Sequence, residues 1–288
     1  MANEQQKNGC RYCGASESPC NEEGFVHVIS SRKKNISYVE LCPKLLQIQK
    51  CDGTPPYFFF DEQKNLLRPC PTREVRLKLE KIHSLMHQSN IPPKYRYRRI
   101  TEFQTEAEDD DISLNLVAAH DNAYHFIAQF SENHDEKFRG LYFFGNPGSG
   151  KTMLACLILN ELILQYQVGV KYIKITRDFF NRIRATFNVE SSDYGRGDSF
   201  FNAVANVDVL VIDDFGVQAD SDWEQRTLYD LIDARYEYER PTIITSNIAP
   251  QDLESTFKNR IFSRLKEMTD FQQMIGFDYR DSFQPEYS

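Results

Sequence analysis

No stretch of the 288 residues approaches the about 18 uninterrupted apolar residues of a membrane-crossing helix, so none is expected. The opening Met1-Ala2-Asn3-Glu4-Gln5-Gln6-Lys7-Asn8 lacks the apolar stretch of a signal peptide, which points to the cytoplasm. Excess positive charge is missing as well: the formal net charge is −8, which argues against bulk electrostatic attraction to nucleic acid. No internal repeat is visible. Cysteine is nearly absent beyond residue 70, where only Cys156 occurs, expected as a small buried hydrophobe. What remains is ordinary for a globular protein, with 41% hydrophobic and 26% charged residues. The length suits one α/β domain plus a smaller one.

Residues 145–152 read Gly145-Asn146-Pro147-Gly148-Ser149-Gly150-Lys151-Thr152, a complete G-x-x-x-x-G-K-[ST] phosphate loop. Both flanks fit. Leu141-Tyr142-Phe143-Phe144 is a short apolar run, as expected of a parallel strand buried on both faces. Met153 to Leu162 holds good helix formers without Gly or Pro. Strand, glycine-rich turn and helix aim backbone N–H groups and a helix N-terminus at a polyphosphate. Lys151 is expected to reach the β/γ-phosphates of ATP and Thr152 to ligate Mg²⁺.

The chain reads as three regions: a Cys-rich stretch at 1–72, a basic helix and linker at 73–112, and an ATPase domain at 113–288. Val75, Leu77, Leu79, Ile82, Leu85 and Met86 mark an amphipathic helix stopped by Ile91-Pro92-Pro93. Between Lys64 and Arg99 ten basic residues stand against two acidic ones, followed at once by the acidic run Glu106 to Asp111. That is either a solvated helix face or a surface for phosphates or an acidic partner. From Ser113, expected as a helix cap, strands alternate with helices. Strands are expected at Val170–Ile175, Val207–Ile212 and Thr242–Thr245, with Thr176 capping a helix that holds Phe179, Phe180, Ile183 and Phe187. Residues 189–199 read as an exposed loop. The fold class is α/β, a parallel sheet with helices on both faces.

Val209-Leu210-Val211-Ile212-Asp213-Asp214 is an apolar strand ending in two carboxylates, 62 positions after Lys151 in the case of Asp213. One such Asp holds Mg²⁺ beside a phosphate loop, directly or through water, and this is assigned to Asp213. Asp214 is then placed to orient and activate the attacking water.

The phosphate loop, Val209 to Gly216, Asp222-Trp223, Arg240 to Asn247, Asn259 to Leu265 and Asp278-Tyr279-Arg280 together resemble the DnaC/DnaI/IstB group of AAA+ ATPases, from about residue 91 onward. The resemblance implies an AAA+ phosphate-loop NTPase that loads a replicative DnaB-type helicase onto single-stranded DNA. The related alternatives are an ATPase that regulates a transposase and a slowly hydrolysing, nucleotide-gated adaptor. It implies roles for Asn247 as first sensor, Arg264 as the arginine presented to a neighbouring copy's ATP, with Arg260 the runner-up, and Arg280 as second sensor. A guanidinium suits the trans role because it is planar and permanently charged. Asp214 departs from wider AAA+ usage, where Glu is commoner, which implies slow, partner-stimulated hydrolysis. Self-association through the ATPase domain and contact with single-stranded DNA follow from the same resemblance, the phenylalanines 179, 180 and 187 being either core or stacking platform.

Six of the seven cysteines lie in the first 70 residues, which in a cytosolic chain favours metal over disulfides. Cys10-Arg11-Tyr12-Cys13-Gly14 is a C-x-x-C-G knuckle suited to Zn²⁺. Cys51 and Cys70 sit where the zinc modules of several DnaC-like proteins place their second pair. Cys42 competes, as do Cys20 and His27 more weakly. A region this small gains folding free energy from a bound metal.

Overall fold

The computed structural model describes residues 12, 20, 23–30, 36–130, 138–216, 221–256 and 260–276. The chain divides into two compact units, residues 1–84 and 85–288. Among the described residues no helix is long and apolar enough to cross a membrane.

The first unit is built from two antiparallel hairpins and helices. Strand β1 (Phe25–Ser30) pairs with β2 (Ile36–Leu41), helix α1 (Pro43–Gln47) follows, and β3 (Phe58–Asp61) pairs with β4 (Leu66–Pro69). Helix α2 (Arg73–Gln88) comes next, and the first unit ends within it. In β2 burial alternates, with Ser37, Val39 and Leu41 inward, the period-2 pattern of a strand with one wet face. Val75, Leu79, Ile82 and Met86 of α2 are buried at helical spacing, whereas Leu77 of the expected apolar set is exposed. Strand β4 is exposed throughout.

The second unit holds helix α3 (Asp110–Gln129), β5 (Gly140–Phe144), α4 (Lys151–Glu161), β6 (Val170–Lys174), α5 (Asn181–Ala185), α6 (Gly197–Ala205), β7 (Val209–Phe215), α7 (Asp222–Glu237), β8 (Thr242–Ser246), α8 (Pro250–Thr256), α9 (Arg260–Met268) and β9 (Thr269–Gln273). Helix α4 runs on into a π-helical turn, Leu162–Tyr166, and a second one, Ile175–Phe180, joins β6 to α5. The five strands form one parallel sheet in the order β6-β7-β8-β5-β9, flanked by helices. Its central strands are continuous apolar runs because both faces are covered: Leu141 to Phe143, Val209 to Ile212 and Ile243 to Ile244 are all buried.

Several elements differ from expectation, each for a local reason. Helix α3 is capped by Asp109, whose carboxylate accepts from the N–H groups of Asp111 and Ile112, while the Ser113 hydroxyl bonds back to Ala107. The acidic run thus ends in the cap and first turn of a helix, where negative charge suits the dipole. Thr176 lies inside the π-helical turn. Helix α6 begins within the expected loop, and Phe200 and Phe201 pack half-buried against the core. Strand β9 is an edge strand with only Thr269 buried, so it carries no apolar run.

Arg235 of α7 is fully buried. It donates to the carbonyls of Ala205, Val207 and Pro241 at 2.9, 2.8 and 2.7 Å and to the Thr242 hydroxyl at 2.8 Å, tying the end of α6 to β8. On the outer edge of β6 the Tyr172 N–H donates to the Ser89 carbonyl at 2.7 Å.

Candidate functional site

Residues 145–152 lie between β5 and α4, the last of them in the first turn of that helix. The loop's shape requires glycine. Gly145 has φ +140°, and a Cβ there would stand 2.0 Å from the Met274 carbonyl oxygen. Gly150, at φ +90°, lies against the Phe103 ring, which a Cβ would meet at 3.1 Å. Lys151 is buried, and its Nζ donates to the carbonyls of Gly145 at 2.9 Å and Asn146 at 2.6 Å and to Ser149 Oγ at 3.2 Å. The ammonium therefore already stands inside the loop.

The carboxyl end of β7 brings the two acids beside this loop. Asp213 is fully buried and accepts four contacts. Its Oδ1 takes Thr152 Oγ1 at 2.7 Å and Thr245 Oγ1 at 2.6 Å; its Oδ2 takes Tyr172 OH at 2.5 Å and lies 3.5 Å from Lys174 Nζ. The next residue leaves the regular strand: Asp214 has φ +59°, the β7–β8 register shifts between Ile212 and Phe215, and its N–H donates to Thr245 Oγ1. This turns the Asp214 carboxylate out to a half-exposed position, where Lys174 Nζ donates to it at 2.6 Å. Burial alone would lower the Lys174 ammonium, but its bonds to Asp214 and Asp213 shift it upward. Burial and the Asp213 charge both push the Tyr172 hydroxyl well above its ordinary range.

Lys174 and Tyr172 are site residues that the sequence reading missed. The signal available was a lysine closing the strand Val170-Lys171-Tyr172-Ile173-Lys174. What places it is register, since Lys174 pairs with Asp213 across β6 and β7.

Asn247 is the exposed residue directly after β8, one position past Ser246, which pairs with Phe215 of β7. Arg264 lies on α9 and is bound within its own subunit to Asp233 of α7. Arg280 lies outside the described residues, as do Cys10 and Cys13. Arg260 is exposed at the start of α9.

The basic run divides in its use. In the second unit Arg96 donates to the Ile91 carbonyl, Arg98 pairs with Glu102, and Arg99 pairs with the buried Glu161 at 2.8 Å. Asn160 adds bonds to the carbonyls of Tyr95 and Arg98. Arg96 and Arg98 thus brace residues 91–102 internally, while Arg99 with Asn160 fastens that stretch to α4.

In the first unit Cys51 is half-buried and Cys70 buried. Burial would raise the Cys70 thiol, but hydrogen bonding to the Thr72 hydroxyl and to the amides of Lys50, Thr72 and Cys51 brings it down to about 6. Cys20 and Cys42 are also buried. Among the described residues no group of three or more His, Cys, Asp or Glu side chains forms a metal cluster.

A family model described as the bacterial DnaA ATPase domain matches residues 115–269. The replicative helicase loader DnaC of Escherichia coli (strain K12) is 27% identical over 187 residues, covering 65% of this chain and 70% of its own length. Two solved structures share the fold at a TM-score of 0.54. A DnaC helicase loader is 24% identical, over 64% of this chain and all of that one. A DnaI is 20% identical, over 65% of this chain and 96% of that one. With an AAA+ phosphate loop, its strand-end acid pair and a family match over more than half its length, the chain belongs to the family of the bacterial DnaA ATPase domain.

Proposed function

We propose that this protein is an ATP-dependent loader that delivers a replicative DnaB-type helicase to single-stranded DNA and hydrolyses ATP slowly until a partner stimulates it. The observation that carries the reading is the joining of Lys151, Thr152, Asp213 and Asp214 at one end of the sheet, in a chain similar over 187 residues to a replicative helicase loader.

The residues present fit a magnesium nucleotide. The glycine cradle leaves no room for a Cβ at residue 145, and the Thr152 hydroxyl and Asp213 carboxylate are the hard oxygen donors that Mg²⁺ takes. Bound there, Mg²⁺ would neutralise charge on the phosphates. Lys151 exchanges its loop carbonyls for β/γ-phosphate oxygens. Asp214 accepts the proton of the attacking water, and Asn247 orients that water. Arg264 acts on ATP held by a second copy, and Arg280 is the second sensor. In the first unit Cys10, Cys13, Cys51 and Cys70 would hold Zn²⁺; hydrogen bonds to Cys70 Sγ from the Lys50 amide and with the Thr72 hydroxyl suit a thiolate ligand.

Single-stranded DNA binds where α5, α6 and α7 present cations over half-exposed rings. Arg182 lies 4.6 Å from the Phe200 ring and Arg184 5.3 Å from Trp223, with Phe187 and Tyr194 exposed beyond them. Phe179 and Phe180, by contrast, are core.

A second reading, the nucleotide-gated adaptor that scarcely turns over, is favoured by the Lys174–Asp214 ion pair, which occupies the carboxylate meant to act as base. Capture of the host's replicative helicase by the tagged protein, with and without ATP, followed by helicase deposition on single-stranded DNA, separates them. Deposition that needs hydrolysis supports the loader; ATP-dependent capture without hydrolysis supports the adaptor; no capture in any nucleotide state sinks both.

A further inference from the structure

Arg264 does not extend freely from α9. Its Nε donates to Asp233 Oδ1, and its guanidinium lies 4.8 Å from the Tyr229 ring and 5.6 Å from the Tyr236 ring. Tyr229, Asp233 and Tyr236 stand one and two turns apart on one face of α7. Tyr236 is itself held by Glu267 of α9, to which its hydroxyl donates at 2.8 Å. The Arg264 and Asp233 side chains are each only 25% exposed. The contact at Nη1 is a weak one, 3.4 Å to the Arg260 carbonyl. The carboxylate therefore takes the Nε edge and the rings lie beside the group, which leaves the Nη edge as its donor capacity.

We propose that Tyr229, Asp233 and Tyr236 form a seat that fixes the Arg264 guanidinium before a second copy of this chain docks, so that the arginine meets the neighbour's nucleotide already oriented. This rests on the reading that Arg264 acts in trans. A free arginine loses rotamer entropy when it is immobilised. With Nε bonded and the group lying against two rings in the isolated chain, most of that ordering is complete before the subunits meet. Asp233 is thus a positioning residue: it touches no nucleotide and acts through Arg264.

The test uses the full chain, with ATP and a thymidine homopolymer as the single-stranded DNA probe. Asp233→Asn keeps the shape and removes the charge. It should lower kcat roughly 10- to 100-fold, the cost of a slightly misplaced group, with KM for ATP nearly unchanged. Asp233→Glu should recover part of the loss. Mixing Asp233→Asn with Lys151→Ala protein supplies the readout that a merely structural role would not move. In co-assembled mixtures, verified by co-purification of differently tagged chains, an Asp233→Asn phosphate loop faces an intact seat, and activity should return. If the Asp233→Asn chain does not fold, the double variant Tyr229→Leu/Tyr236→Leu takes its place with the same expectations. Full activity in the seat variants while Arg264→Ala is inactive overturns the seat and leaves the trans arginine standing. Lost activity that the mixture fails to restore overturns it too, since the defect then lies in the variant's own nucleotide site. Full activity in Arg264→Ala itself defeats the underlying trans reading instead.

Discussion

The two units hold their polar chemistry in opposite ways. In the ATPase unit four side chains from α4, β6 and β8 converge on the single carboxylate of Asp213, and the sheet that aligns them is apolar and buried. In the first unit the hairpins leave large apolar side chains in water, with Ile29 60%, Phe60 58% and Leu67 63% exposed, and Cys42, Cys51 and Cys70 lie in connections between the elements. A site made by sheet register is stable before any ligand arrives. A site made by a few hairpins and turns depends on what binds it.

The sharpest way to break this contrast is to test whether the ATPase site is complete in its own unit. Lys151→Ala removes the cation from inside the loop and should abolish ATP affinity in a titration with a fluorescent nucleotide, with the fold intact by circular dichroism. Cys10→Ser should release about one Zn²⁺ per chain and unfold the first unit alone. Metal analysis and limited proteolysis check this, and nucleotide binding that falls along with the zinc would show the units to be interdependent. If Cys42→Ser loses the ion and Cys51→Ser keeps it, the third ligand is Cys42. Within the ATPase unit, Asp214→Asn should still bind ATP while stimulated turnover drops by roughly 10²-fold. Normal turnover would remove Asp214 from the role of base. The smallest effect is expected at Lys174. Lys174→Met frees the Asp214 carboxylate, and unstimulated phosphate release should rise several-fold with little change in ATP affinity. A fall would mean that Lys174 aids the chemistry, not restrains it.

Legibility followed the range of the interactions. The phosphate loop is local, since eight consecutive residues carry it, and the acid pair at the end of β7 is marked by its apolar run. Tyr172 and Lys174 were hidden because only the parallel register of β6 on β7 sets them against Asp213. Strand β9 was hidden for another reason: Thr-Asp-Phe-Gln-Gln borders a sheet on one side and needs no buried run. The start of α3 was displaced because two residue types compete for one cap, and Asp109 prevails over Ser113. In the first unit, Cys51 and Cys70 were singled out by resemblance to the zinc modules of DnaC-like proteins, whereas the amides gathered around Cys70 depend on the turns at 50–51 and 70–72.

The single bond from Tyr172 N–H to the Ser89 carbonyl bears on where the chain can be cut. Strand β6 is one of the two outer strands of the sheet, and Ser89 covers part of its open side. A shortened chain beginning at Ser113 would look like a whole ATPase by its motifs. It would nevertheless expose a bare strand margin to other molecules and leave the amide of Asn160 and the carboxylate of Glu161 without their partners from residues 95–100. Such a fragment should precipitate or pair edge to edge, whereas one beginning at Leu85 should stay dispersed. The ATPase is thus a longer physical object than its motif-bearing stretch, and its effective beginning lies before the proline pair at 92–93.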